Sequence, residues 1–337
     1  MKKYEKIEEL FIEITNHCLQ SCIHCSSNAT SRQYEEIPIG KLKQVVLDTV
    51  ELGLKSVVLS GGEPFLYPDL DALVGFLQGR QLSYSLYTCG VTRDDGGIRP
   101  LSVDDFKRMK SNYLSKIIFS LHAGCPETQA KISCFADSFA YVLQSIRSAK
   151  SLGINVEIHV VPMSVNFSEL KQVLEIANDL GVSRVSFLRF VPQGRGTEKL
   201  RLNKDQFFAL QKMYSEYKDG YKNVKVRFGT PFNCITYRGG RCTAGLNKLL
   251  INAYGEILPC EAFKYLHGQR PKIYQQNIAD VWQNDPLLNE LRDIDLNTVS
   301  VCCNCPHKEG CRGGCPGQRR HLNGDFRKGP DPSCILQ

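Results

Sequence analysis

The sequence contains no run of eighteen consecutive apolar residues, so nothing in it reads as a transmembrane helix. The N-terminus, MKKYEKIEEL, carries charges where a signal peptide has its apolar stretch. These two absences lead us to expect a cytoplasmic protein with no membrane partner. Strong charge asymmetry is also missing. Lys and Arg number 42 against 35 Asp and Glu in 337 residues, a formal +7 that raises the question of a nucleic-acid partner. The densest basic stretch, RRHLNGDFRKG at 319–329, reads as a solvated face rather than a nucleic-acid patch. With 42% hydrophobic and 23% charged residues the chain has ordinary globular usage, enough for one large domain and a smaller one.

Cysteine is what the chain has in abundance. Fifteen of them in a reducing compartment argue for metal binding or redox chemistry rather than a disulfide framework. Cys18, Cys22 and Cys25 fall within NHCLQSCIHCSSNA, at spacings of three and two intervening residues. Three thiolates on one loop can wrap a metal centre, yet tetrahedral zinc and a four-iron cube each take four ligands. A loop supplying three leaves one corner of a cube open to an outside ligand. A zinc site completed by a distant residue is the alternative.

The loop has a place in a regular pattern. ELFIEIT, at 9–15, alternates as a strand and runs into the cysteines; IGKLKQVVLDTVELG follows as a helix, between Pro38 and Gly53. The alternation continues through KSVVLSG, DLDALVGFLQG, LSYSLYT, VDDFKRMK, SKIIFSL, SFAYVLQSIRSAKSLG, INVEIHVV, FSELKQVLEIANDLG and RVSFLRF. Six strand and helix units in roughly 190 residues, with largely apolar strands, predict an α/β fold around a parallel sheet. A partial (β/α)6 barrel and an open doubly wound sheet both fit, and both put the site at the C-terminal ends of the strands. After VPQGRG the pattern gives way to one more helix, LNKDQFFALQKMYSEYK, and a region rich in Gly, Pro and Cys. We therefore expect a barrel domain over 1–195, a linker with a helix over 196–233 and a cysteine-rich domain over 234–337.

At the cysteine loop the sequence resembles the radical S-adenosylmethionine (SAM) enzymes, whose signature C-x3-C-x-aromatic-C is met by Cys18, Cys22 and Cys25, with His24 at the aromatic position. The resemblance implies that SAM occupies the open iron of a 4Fe-4S cluster and that His24 contacts adenine. SGGEPFLYPDL, after the second strand, matches the family's glycine motif. Gly61 and Gly62 permit close backbone approach, and Glu63 can accept hydrogen bonds from the SAM ammonium. Ser120, ending the fourth strand, matches a position that contacts the SAM carboxylate. TCG at 88–90, Arg189 and Val191 stand at further positions that line the cofactor in relatives.

The C-terminal third resembles the SPASM extension of these enzymes, which holds two auxiliary 4Fe-4S clusters. LLINAYGEILPC reads as a hairpin turning at Tyr254 and Gly255. By resemblance, Cys242, Cys260 and Cys315 hold the first auxiliary cluster, with Cys234 as the available fourth ligand. Cys302, Cys305, Cys311 and Cys334 hold the second, in C-x2-C-x5-C-x3-C spacing that also takes in Cys315. Cys303 is a rival for Cys302 that breaks the two-residue spacing. A pair of zinc ribbons would use the same eight residues. Eleven thiolates around three cores of charge +2 lower the formal charge by five, leaving about +2, so the basic excess reads as internal compensation and no nucleic-acid partner is expected.

Cys89, Cys125, Cys134 and Cys303 remain, and a leftover cysteine is usually a small buried hydrophobe. Cys125 and Cys134 are candidates to donate a hydrogen atom to a substrate radical. The resemblance implies an enzyme with three 4Fe-4S clusters and SAM as cofactors and an external one-electron donor such as flavodoxin or ferredoxin. Its substrate would be a peptide or protein, with a separate recognition protein possible, since no recognition domain precedes the first strand. A haem precursor or a sugar-derived small molecule is the alternative substrate, and a zinc-binding interaction protein the non-enzymatic alternative.

Overall fold

In the first strand Leu10, Ile12 and Ile14 point into an apolar layer, while Glu13 and Thr15 point the opposite way, as a pleat of period two requires. The same split recurs in the strands beside it, and it decides where this protein keeps its core and where its chemistry. The structure, a computed structural model, describes residues 6–265, 268–299 and 301–336. Residues 1–5, part of the stretch on which the signal-peptide expectation rests, lie outside that range. Among the described residues no helix is long and apolar enough to cross a membrane.

Eleven strands are described: β1 (Glu9–Thr15), β2 (Ser56–Gly61), β3 (Ser83–Thr88), β4 (Val91–Asp94), β5 (Gly97–Pro100), β6 (Leu114–Ser120), β7 (Val156–Val160), β8 (Arg184–Phe187), β9 (Lys225–Phe228), β10 (Lys248–Ile251) and β11 (Ile257–Leu258). Nine form one sheet in the order β11-β10-β1-β2-β3-β6-β7-β8-β9. Every pairing in it is parallel except β10 with β11. The six expected units thus form a partial barrel, left open between its outermost strands.

Helices α1 (Ile39–Val50), α2 (Leu70–Gly79), α3 (Val103–Met109), α4 (Pro126–Ser133), α5 (Ser138–Ser151) and α6 (Leu170–Asp179) cross between the strands. Their apolar stripes, such as Leu42, Val45 and Val46 or Leu170, Val173 and Leu174, meet the outward residues of the strands in one core. The inner face is different. Glu13, Ser60, Tyr87, Ser120 and His159 line a cavity there, so strands that read as apolar runs are continuously apolar on the helix side and mixed on the inner one. In β7 all five residues are buried, including Glu157 and His159.

Three elements escape the periodicity. The β4–β5 hairpin is too short to show an alternation, α4 carries few apolar residues, and β9 follows the long helix α7 (Lys204–Tyr217) to extend the sheet beyond β8. The hairpin of β10 and β11 does turn at Tyr254 and Gly255, where Asn252 Oδ1 accepts the amides of Tyr254 and Glu256. Its first strand lies parallel to β1, Leu10 beside Leu249 and Ile12 beside Ile251, so the cysteine-rich segment continues the barrel sheet. Short helices α8 (Asn233–Thr236), α9 (Ile278–Asn284), α10 (Pro286–Arg292), α11 (Lys308–Cys311) and α12 (Pro316–Asn323) complete this segment.

Candidate functional site

The cysteine loop leaves β1 and is fixed along its whole length by backbone bonds. Cys18 N donates to Thr30 O (2.9 Å), Ser21 N to Ser133 O (3.0 Å) and Ile23 N to Ile132 O (2.9 Å), tying the loop to the end of α4. The turn after β8 holds it from the other side. Arg195 donates from Nε to Cys22 O (2.9 Å) and from Nη1 to Ala29 O (2.8 Å), while its own amide reaches Cys25 O at 3.0 Å. Gly194, at φ +62°, lies so close that a Cβ there would meet Cys25 O at 2.4 Å. Arg195 was not singled out from the sequence; the Gly-Arg-Gly of VPQGRG is the signal that could have found it.

Cys18, Cys22 and Cys25 face a cavity of about 290 Å³ at the C-terminal ends of the strands, together with Gly61, Gly62, His24 and Ser120. The glycines are required by neighbouring backbone: a Cβ at Gly61 would lie 2.0 Å from Thr15 O, and one at Gly62 would lie 2.1 Å from His17 O. His24 packs edge-on against His122 at 4.4 Å, its Nδ1 is buried without a partner, and burial pushes the imidazole down to about 4. Burial also pushes the Cys22 thiol up, an effect its cysteine neighbours add to, so metal binding there must displace a proton.

Glu63 follows the two glycines into the protein interior. Its carboxylate is fully buried and accepts from Thr88 Oγ1 (2.9 Å), Cys89 N (2.7 Å) and Phe65 N (3.1 Å). Burial pushes its pKa up to about 7, against the pull of those donors. The carboxylate is thus committed to the protein, and Gly61 and Gly62 are the motif residues on the cavity wall. Cys125 and Cys134 are not on that wall either. Cys125 caps α4 with Sγ 3.4 Å from Thr128 Oγ1, and Cys134 ends the same helix exposed and left-handed. Of the four leftover cysteines, Cys89 is the one that lines the cavity.

Paired charges line the same cavity. Lys264 forms a buried ion pair with Glu13 and donates to Ser26 Oγ (3.2 Å) and Ser27 Oγ (2.9 Å). Tyr87 Oη sits 3.0 Å from His159 Nδ1, and the other ring nitrogen faces Glu157 at 3.9 Å. Burial holds His159 below its ordinary range, against the pull of Glu157; Glu157, though buried, is drawn down to about 2 by His159, Lys116 and Arg184.

Two further cavities lie in the cysteine-rich segment. Cys242, Cys260 and Cys315 line one of about 280 Å³. Cys302, Cys305, Cys311 and Cys334 line another of about 40 Å³, and Cys234 stands with them rather than with the first group. The reason is local: Cys234 sits on α8, which packs against α11, the helix that ends in Cys311. Arg189 and Val191, just after β8, line the barrel cavity and join it to this segment: Arg189 donates to Asp331 (2.6 Å) and Ser333 (2.7 Å) in a buried pair, and Val191 packs against the cluster that contains Cys315. Among the described residues no three Cys, His, Asp or Glu side chains converge tightly enough to hold a single metal ion. Thiols grouped around cavities, rather than around a point, fit iron-sulfur cubes better than zinc.

Residues 12–180 match the Radical SAM superfamily, and residues 242–306 match SPASM, described as an iron-sulfur cluster-binding domain. The chain belongs to the radical SAM superfamily. It is similar to a PqqA peptide cyclase of Granulibacter bethesdensis, 27% identical over 97% of this chain and 87% of the relative. An AdoMet-dependent heme synthase of Methanosarcina barkeri is 22% identical over 96% and 95%. In fold the chain resembles Streptococcus suis SuiB bound to its precursor peptide SuiA, with a TM-score of 0.79 and 19% identity over 98% of this chain and 76% of that one. This radical SAM enzyme therefore uses SAM and 4Fe-4S clusters, and the zinc-binding alternative falls away.

Proposed function

We propose that this radical SAM enzyme modifies a peptide, with the target residue held in the cavity between the cysteine loop and residues 261–264 of the SPASM segment. The observation that carries the reading is that one cavity is lined both by Cys18, Cys22 and Cys25 and by Glu261 and Lys264 of the SPASM segment. A substrate there lies between the first cluster and the auxiliary ones. The likeness to a peptide cyclase over almost the whole chain supports a peptide in that place.

The residue roles follow from placement. Cys18, Cys22 and Cys25 hold the first cluster, and SAM takes its fourth position. The backbone of Gly61 and Gly62, Ser120 and His24 face the cofactor, with His24 Nδ1 free to bond adenine. Glu63 acts by bracing that backbone. Cys242, Cys260 and Cys315 hold the first auxiliary cluster, and Cys302, Cys305, Cys311 and Cys334 the second, with Cys234 beside it. Bound together, the first cluster and SAM supply a hydrogen-abstracting radical. The protein's part is to exclude water and orient the target, with Arg195 fixing the loop and the Glu13–Lys264 pair holding its Ser26–Ser27 end. Electrons come from flavodoxin or ferredoxin, and a separate recognition protein presents the peptide.

Reduced enzyme and SAM are incubated with peptides encoded beside the gene, with and without neighbouring small proteins, and separately with porphyrin precursors and aminosugars. Peptide-dependent 5′-deoxyadenosine and a mass change on the peptide are expected. Turnover with a small molecule and with no peptide would overturn the substrate while leaving the chemistry intact.

A further inference from the structure

Arg319 lies in the basic stretch that the sequence presents as a solvated face, yet its side chain is completely buried. None of its three guanidinium nitrogens has a hydrogen-bond partner. Five N–H donors and a permanent charge out of water are costly unless an anion meets them. Asp331, a carboxylate among its electrostatic neighbours, is already taken by Arg189, Cys315 N and Ser333 N. The remaining neighbours are Cys302, Cys311 and Cys315.

The position of Arg319 is as specific as its isolation. Helix α12 starts directly after Cys315, and Arg319 reaches the wall of the cavity that Cys242, Cys260 and Cys315 share. Its other side lies against Gly313, where a Cβ would come 3.0 Å from Nη1. Gly313 in turn borders the cavity of Cys302, Cys305, Cys311 and Cys334. The guanidinium therefore stands at the partition between the two auxiliary sites.

We infer that Arg319 is the counter-cation of the auxiliary clusters, donating to the sulfur atoms of the centre held by Cys242, Cys260 and Cys315 and raising its reduction potential. This rests on reading those cysteines as an iron-sulfur site. A four-iron cube with thiolate ligands is an anion that gains a further negative charge on accepting one electron, with no proton involved. A buried cation beside it therefore favours the reduced state. Arg319 acts through the cluster and does not touch substrate, so it is a positioning and tuning residue.

The test uses the full chain, reconstituted anaerobically, as wild type, Arg319→Gln and Arg319→Lys. Iron is counted, and midpoint potentials are followed by electron paramagnetic resonance during titration with dithionite. In Arg319→Gln the auxiliary signal is expected to need a potential lower by about 59 mV, a tenfold change in the ratio of reduced to oxidised cluster for a one-electron couple. Arg319→Lys should recover most of that shift, and the signal that responds to added SAM should not move. Loss of auxiliary iron in Arg319→Gln with retention in Arg319→Lys also supports the role, since charge is then what the site needs. An unchanged midpoint in iron-replete Arg319→Gln overturns it, as does equal loss of iron from both variants. Wild type that holds iron at the N-terminal loop alone overturns the reading beneath the inference, and the inference with it.

Discussion

Glu63 shows how a motif can be legible while the contacts of its side chain are not. SGGEP is readable in the sequence as a cofactor motif, and its glycines do line the cavity, but the carboxylate serves Thr88, Cys89 and Phe65. Replacing it with Ala strips the acceptor from buried donors, at about 1 to 3 kcal/mol for each group left unsatisfied. We expect Glu63→Ala to lower the unfolding temperature of the cluster-free protein and to weaken SAM binding roughly tenfold through the displaced Gly61–Gly62 backbone. Glu63→Gln should restore most of the stability, because an amide oxygen still accepts. Calorimetry and a SAM titration check both, and Glu63→Ala with native stability but weak SAM binding would return the carboxylate to direct contact. Loop side chains carry no periodicity, which is why the sequence does not say whether Glu63, Cys89, Cys125 or Cys134 faces the cavity.

At the scale of elements, strand identity was legible because apolar residues recur on the helix side of every barrel strand. The polar inner face was masked, since isolated residues such as Glu13, Tyr87 and His159 interrupt those runs without breaking them. The turn after β8 was illegible for a different reason: its job is to hold another segment 173 residues away. Arg195→Ala removes two bonds to the cysteine loop and should lower the iron held at the N-terminal site, with auxiliary iron retained. Gly194→Ala should do the same by the clash with Cys25 O. Iron analysis against a Cys22→Ala control decides, and iron content equal to wild type in both turn variants would show that the loop needs no clamp. Helix α8 carries a parallel expectation. Its packing on α11 sets Cys234 among the second group, so Cys234→Ala should leave the centre of Cys242, Cys260 and Cys315 intact by spectroscopy.

Over the whole molecule, the buried Arg189–Asp331 pair joins the barrel to the segment between Cys315 and Cys334. Asp331→Ala leaves a buried guanidinium unpaired, a loss of about 3 to 5 kcal/mol, and should be seen as a large drop in thermal stability accompanied by loss of auxiliary iron. Acid acts on the barrel itself. Burial holds both His122 and His159 below their usual range, so the folded state binds fewer protons than the unfolded one below about pH 6.5. Stability should therefore fall as pH drops through that value, by up to about 1.4 kcal/mol per pH unit for each histidine. His122→Asn should flatten the slope in denaturant titrations of cluster-free protein at pH 7 and pH 5. A final consequence comes from β10. By lying parallel to β1 it covers the backbone amides and carbonyls that the first barrel strand would otherwise present to solvent. A chain ending before Lys248 would keep every residue of the SAM-facing loop and still expose a bare sheet edge, an invitation to pair with another copy. The cluster-bearing segment thus doubles as a cover for the barrel's edge, and shortened forms should be judged first by whether they self-associate more than the full chain does.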